Sequence, residues 1–270
     1  MKENYVHGYT ERESVRLEDQ ANCLSELLHH DTVFPKGSLV LEAGCGVGAQ
    51  TRIVAPKNPN SKLISMDISE ESVEKARACI EAMHIKNVEF QTGDIFDLQF
   101  PDEYFDHVFI CFVLEHLPDP VLALKSLKRV LKKGGTITLI EGDHGSAYFY
   151  PESRFAQEAI DAQVKLQAAS GGNALIGRQL YPLLVNSQFK NCAVSPRMVY
   201  VDSSRPDLVE GFTRNTFTAM VEGIRDKAVG SIMDEAAFDQ GIKDLYRTSE
   251  DDGVFCYTFF KGIGYNNHLN

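Results

Sequence analysis

Leu39-Val40-Leu41-Glu42-Ala43-Gly44-Cys45-Gly46-Val47-Gly48 decides how the chain is read. A short apolar run ends in an acid, and three glycines follow on alternate positions. The run has the length and composition of a buried strand. Glycines spaced this way supply a turn in which backbone passes close to a ligand or another element. The dinucleotide fingerprint G-x-G-x-x-G is not met, because the third glycine comes one residue early. The string is G-x-G-x-G, led by Glu42.

A second apolar run, Leu63-Ile64-Ser65-Met66, ends in Asp67 one helix and one strand farther on. In doubly wound folds an acid at this place accepts hydrogen bonds from the ribose hydroxyls of a nucleoside. A carboxylate suits that task because it is a pure acceptor with two oxygens. Asp67 also stands where a helix cap would, ahead of Ser69-Glu70-Glu71. Its company, Glu42 and the glycines, favours the ribose role.

Strands and helices alternate from about residue 38 to 141. Strands are expected at 39–42, 62–67, 88–92, 105–111 and 136–140. A short helix starting over 50–55 is halted by Pro56 and Pro59. A helix over 69–83 places Val73, Ala76, Ile80 and Met83 on one face, and another over 121–131 aligns Leu124, Leu127 and Leu131. Lys132-Lys133-Gly134-Gly135 reads as a turn. Such alternation predicts an α/β fold, its parallel sheet covered on both faces and its crossovers right-handed. Upstream, Thr10-Glu11-Arg12-Glu13 has capping-box form and opens a helix running to about His29. Downstream, helices are expected at 152–169, 178–189, 206–228 and 234–246, with strands at 194–201 and 254–261.

The chain has 270 residues and a net charge of −11. An acidic surface repels phosphate backbones, so no nucleic-acid partner is expected. Arg129, Lys132 and Lys133 cluster, but at a helix end. The six cysteines form no C-x-x-C pair and suggest neither a zinc site nor a disulfide framework. The N-terminal residues lack the apolar stretch of a signal peptide, and no segment approaches the ~20 apolar residues of a membrane span. A cytoplasmic protein is the expectation; the oligomeric state is left open.

Further motifs follow in order: Gly93-Asp94-Ile95 after the third strand, Phe105–Leu117 across the fourth strand and its turn, and Leu127–Gly135 before the fifth. Together with the glycine turn they resemble the motifs of class I S-adenosylmethionine-dependent methyltransferases, over residues 40–141. They are most similar to the small-molecule branch that includes the ubiquinone- and menaquinone-biosynthesis type. The resemblance implies a Rossmann-like, seven-stranded, mostly parallel sheet of order 3-2-1-4-5-7-6, its last strand antiparallel, with helices on both faces and helical insertions over the cleft. It implies an N-terminal helical cap over 1–35, a cofactor-binding core over 36–145, and completion of the sheet with substrate-cap insertions over 146–270, in a single structural domain.

S-adenosylmethionine is the implied cofactor. Asp67 would take the ribose with Ile68 beside it, Asp94 the adenine amino group, and Ile95 the adenine ring. Gly44, Cys45 and Gly46 would let backbone approach the methionine portion. Glu42 would orient the turn or accept from the amino group. Gln50 and Thr51 would offer amides to the carboxylate, and Cys111, Phe112 and His116 would face the cofactor from the fourth strand. Arg16 from the first helix is a candidate to neutralise the carboxylate, with Tyr9 closing the pocket; a surface arginine among many charges is the equal alternative.

The sulfonium is an activated donor, so the protein must mainly align the nucleophile and exclude water. Where a base helps, Glu115, His116, Glu141, Asp143 and His144 are the candidates; His116 also reads as a cofactor contact, and Asp143-His144 as the start of a loop. No metal-ligand set can be assembled. Insertions over about 145–177 and 202–252 carry Phe149, Tyr150, Phe155, Tyr181, Phe212, Phe217, Met220 and Tyr246, which suggest an enclosed, partly apolar acceptor pocket, with Gly171-Gly172 as a hinge. A small-molecule acceptor is therefore expected. Methylation of protein or RNA, and binding of the cofactor without catalysis, are the alternatives; a dehydrogenase fails on the glycine spacing.

Overall fold

The computed structural model describes residue 21 and residues 23–267. Tyr9, Arg16 and the capping box at 10–13 lie outside the described residues. Seven strands form one sheet: β1 (Leu39–Ala43), β2 (Lys62–Asp67), β3 (Val88–Thr92), β4 (Phe105–Cys111), β5 (Leu131–Tyr150), β6 (Lys190–Val201) and β7 (Val254–Tyr265). Their order is β3-β2-β1-β4-β5-β7-β6, as expected. β1 pairs in parallel with β2 and β4, β2 with β3, and β4 with β5. Strand order reverses between β1 and β4, and the crevice at the carboxyl ends of such strands is where open α/β sheets take ligands.

The helices are α1 (23–29), α2 (Thr51–Lys57), α3 (Glu70–Ala82), α4 (Pro120–Val130), α5 (Arg154–Ala169) and α6 (Leu180–Asn186), with a further helix over Glu235–Arg247. The chain forms two compact units. One is built on Leu28–Glu141, Ile176–Pro196 and residues 260–267; the other on Gly142–Leu175 and Arg197–Phe259, with the described residues up to Leu27.

In the first unit, Leu41, Ile64, Val108, Ile110, Leu124, Leu127, Ile137 and Leu139 make the centre of the core. Each such side chain contributes about 1.5–3 kcal/mol on burial. α3 starts at Ser69, whose hydroxyl accepts from the Ser72 amide, and α4 at Asp119, whose carboxylate accepts from the Leu122 amide. The expected face of α3 is buried at Val73, Ala76 and Ile80, but Met83 lies past the helix end and is exposed. α2 runs through Pro56 instead of stopping before it. So close to a helix end the ring forfeits one backbone bond, and the Asn58 amide still reaches the Ala55 carbonyl at 3.1 Å.

β5 departs most from expectation. It begins at Leu131, with Phe105 opposite Leu131 but His107 opposite Thr136, so the predicted turn 132–135 is an irregularity within the strand. Asn266 holds it there: its side-chain amide donates to the Leu131 carbonyl at 2.6 Å, and its backbone pairs with Gly134 and Gly135. The strand then continues to Tyr150, so Asp143 and His144 are buried strand residues and not the start of a loop.

In the second unit, residues 206–228 do not form one helix. Short helices at Pro206–Leu208, Ala219–Glu222 and Arg225–Ala228 flank a π-helical stretch, Val209–Thr218, in which the Thr216 hydroxyl donates to the Gly211 carbonyl at 2.6 Å. α5 packs on Glu235–Arg247 so closely that a Cβ at Gly241 would lie 2.4 Å from the Phe155 carbonyl oxygen. Phe212 and Phe217 join Phe255, Tyr257 and Phe259 in a buried aromatic cluster, with Phe217 and Phe255 centroids 4.7 Å apart. Three aromatics expected in an enclosed pocket are instead exposed: Tyr150, Phe155 and, in the first unit, Tyr181.

Candidate functional site

The glycine turn is anchored to the end of β2. The Gly44 and Cys45 amides both donate to the Met66 carbonyl, at 2.7 and 2.9 Å. The Gly46 amide donates to Asp67 Oδ2 at 2.8 Å, and Asp67 Oδ1 accepts from the Ser69 amide at 2.9 Å. One carboxylate thus ties the turn to the start of α3. A carboxylate has about four lone-pair positions, so Asp67 retains acceptor capacity. Burial pushes its pKa up, against the pull of these amide donors. Gly44 has φ +83°, and a Cβ there would lie 2.4 Å from Val113 Cγ2; at Gly46, φ +51°, a Cβ would meet nothing within 4 Å. The first glycine is therefore needed for packing against the turn after β4, while the second leaves backbone open to approach.

Glu42 is 2% exposed. Its Oε2 accepts from the Thr51 and Ser65 hydroxyls at 2.7 and 2.5 Å, joining β1, β2 and α2. Burial raises its pKa. Oε2 is thereby taken up in tying these elements together, and Oε1 takes no partner among the described residues. Asp94 Oδ1 accepts from the Phe96 amide at 2.9 Å, and the Gly93 amide reaches the Asp67 carbonyl at 2.9 Å, so the two acids end adjacent strands. Ile95 is buried in the core cluster, whereas Ile68 is 42% exposed. Cys45 and Cys111 are buried, with thiol pKa values pushed well up by burial.

Phe112 turns the chain at the end of β4 with φ +58°, an uncommon conformation for a bulky residue. The turn is braced from β5: Glu141 Oε1 accepts from the Val113 and Leu114 amides at 3.0 and 2.8 Å. Glu141 is fully buried.

A family of methyltransferase domains matches residues 35–188. The chain belongs to the methyltransferase-domain family. Over 160 residues it is 33% identical to an uncharacterized methyltransferase of Schizosaccharomyces pombe, covering 57% of each chain. Over 145 residues it is 32% identical to the demethylmenaquinone methyltransferase of Lactococcus lactis, covering 50% of this chain and 58% of that one. The chain thus spans under two thirds of the length of these relatives. A Haemonchus contortus phosphoethanolamine N-methyltransferase, solved with phosphomonomethylethanolamine and S-adenosylhomocysteine, has the same fold, with a TM-score of 0.60 at 15% identity, covering 96% of this chain and 59% of that one. The cofactor of this methyltransferase family is S-adenosylmethionine. No helix among the described residues is long and apolar enough to cross a membrane.

The candidate bases of this methyltransferase-family chain separate by what holds them. Glu115 and His116 share the short turn Leu114–His116, with His116 Nε2 3.6 Å from Glu115 Oε1 and side chains partly exposed. Asp143 Oδ1 accepts from the Gly145 amide at 3.1 Å. His144 is 6% exposed, and both ring nitrogens are engaged: Nδ1 with Tyr257 Oη at 2.9 Å and Nε2 with Gln163 Nε2 at 3.0 Å. His144 is thereby committed within the second unit.

Glu141 Oε1 braces the turn after β4, and burial, with the Glu115 charge adding to it, lifts its pKa well above the ordinary 4.5. The folded chain therefore holds this proton where the unfolded chain releases it, and stability falls as pH rises between the two pKa values, by about 1.4 kcal/mol per unit. Glu141→Gln keeps an acceptor for the two amides and removes the titration. Denaturant midpoints measured from about pH 5 to 8 should decline less steeply in this variant than in the native chain; identical slopes would refute the assignment.

Residues missed in the sequence are those that support the site. His29 ends α1 and is fully buried, its Nε2 2.8 Å from Gln50 Oε1. Burial, with Lys261 and Lys57 nearby, lowers its pKa to about 4. No spacing signals such a contact, because the partners lie 21 residues apart with a strand between them.

Proposed function

We propose that this protein moves the methyl group of S-adenosylmethionine to a small-molecule acceptor. The observation that carries the reading is Asp67, which pins both the glycine turn and the start of α3 at the strand-order reversal yet keeps acceptor capacity. The residues suit the ligand: Asp67 for the ribose, Asp94 for the adenine amino group, the Gly44–Gly46 backbone and Gln50 for the methionine portion. Bound there, the cofactor supplies a methyl group already activated by its sulfonium. The protein aligns the acceptor and keeps water out. A small-molecule acceptor is supported by the relative named for demethylmenaquinone and by the net charge of −11, which disfavours RNA.

Calorimetry with S-adenosylhomocysteine, followed by labelled-methyl transfer into fractionated extract, tests the reading. Binding and label in the low-mass fraction are expected; no binding would overturn it, and label in protein or RNA would move the acceptor class. Where the acceptor must lose a proton, the Glu115–His116 pair is the proposed base. His116→Ala should then lower kcat by roughly 10²–10⁴ with S-adenosylhomocysteine affinity nearly unchanged. A matching loss of affinity would make His116 a cofactor contact.

A further inference from the structure

A buried polar chain runs from β7 to Gln50, two residues past the last glycine of the turn, within the first unit. Lys261, 2% exposed, donates from Nζ to Thr32 Oγ1 at 2.7 Å and Asp31 Oδ1 at 2.6 Å. Thr32 Oγ1 lies 3.3 Å from His29 Nδ1, and His29 Nε2 lies 2.8 Å from Gln50 Oε1. With Gln50 Oε1 as the atom that faces His29 Nε2, the protons in this chain have one consistent arrangement. An amide oxygen only accepts, so His29 carries its proton on Nε2. The imidazole is neutral near pH 7, its pKa lowered to about 4 by burial, so Nδ1 is an acceptor. Thr32 must then donate its hydroxyl proton to His29 while its lone pair takes the Lys261 proton. Along the line Lys261–Thr32–His29–Gln50 each donor then points toward Gln50. With the Gln50 oxygen committed, what remains is its amide nitrogen, which takes no partner among the described residues.

We propose that Lys261, Thr32 and His29 are positioning residues that fix Gln50 with its amide nitrogen outward, as a donor for the carboxylate of the methionine portion of S-adenosylmethionine. Nε2 has two protons and no lone pair to offer, so it selects an acceptor, and the carboxylate is the strongest acceptor at that end of the ligand. In water an amide side chain rotates freely between its two faces; here the relay fixes one of them. The inference rests on the cofactor reading above.

Two ligands separate the two ideas. S-adenosylhomocysteine has the amino-acid end; 5′-methylthioadenosine keeps adenine and ribose but lacks it. Titration calorimetry on the native chain, Thr32→Val, Gln50→Leu and the double variant reads the relay directly. Thr32→Val interrupts the chain at nearly constant shape, and Gln50 is only half-buried, so its variant guards against a misfolded first one. Each single variant is expected to lose about tenfold in S-adenosylhomocysteine affinity while 5′-methylthioadenosine affinity stays within twofold. The double variant should lose no more than Gln50→Leu alone, because Thr32 acts through Gln50. Equal loss of both ligands in Thr32→Val, or losses that add in the double variant, would overturn the relay. Failure of the native chain to bind either ligand would overturn the cofactor reading and the relay with it.

Discussion

Asp67→Ala is expected to lower S-adenosylhomocysteine affinity by roughly 10²–10³. The substitution acts twice. It removes the acceptor proposed for the ribose hydroxyls, each hydrogen bond to a charged group contributing about 1.5–3 kcal/mol. It also releases the Gly46 amide from Oδ2 and the Ser69 amide from Oδ1, so the turn and the start of α3 lose their common anchor. At about 1.4 kcal/mol per tenfold, the two ribose bonds, together about 3–6 kcal/mol, are enough to produce that loss. Asp67→Asn should not rescue it: one carboxamide position is a donor, and it would face either the Gly46 or the Ser69 amide, which are donors already. Calorimetry with both variants, after circular dichroism establishes folding, measures this. An Asp67→Ala affinity within threefold of the native value would remove Asp67 from the site.

The sequence made this acid legible because its evidence is local. An apolar strand, a glycine turn and a second strand ending in an acid lie within about thirty residues, and parallel pairing of β1 with β2 then brings the two strand ends together. Contacts between distant segments were not legible. Thr32 meets Lys261 across 229 residues, and Asn266 organises 131–135 from the far end of the chain. The length of β5 was hidden for a related reason. Glu141-Gly142-Asp143-His144-Gly145-Ser146 has the composition of a loop, yet strand partners satisfy it: the Thr258 amide donates to Ser146 Oγ at 2.9 Å and Tyr257 meets His144. Tertiary partners here override local preference. The exposed Tyr150, Phe155 and Tyr181 show the limit of counting aromatics, because composition does not say which way a side chain faces.

Gly44→Ala is the substitution expected to cost the fold most at the site, and its cost has two separable parts. Gly44 holds φ +83°, where a Cβ meets its own backbone at a cost of about 1–2 kcal/mol. The new Cβ would also stand 2.4 Å from Val113 Cγ2 and 3.0 Å from Cγ1. Valine cannot swing clear, since a β-branched side chain is stiff at χ1. Nor can its backbone retreat, because Glu141 Oε1 holds the Val113 amide at 3.0 Å. Overpacking of this kind adds about 1–3 kcal/mol, so Gly44→Ala should destabilise by about 2–5 kcal/mol, or roughly 5–10 °C in Tm. Val113→Ala removes both clashing methyls but leaves the φ strain. The double variant should therefore recover the overpacking part, and the coupling between the two substitutions should reach at least about 1 kcal/mol in a double-mutant cycle. Additive losses would mean that the turn shifts as a body, and that Val113 does not set the space in which the glycine turn must close.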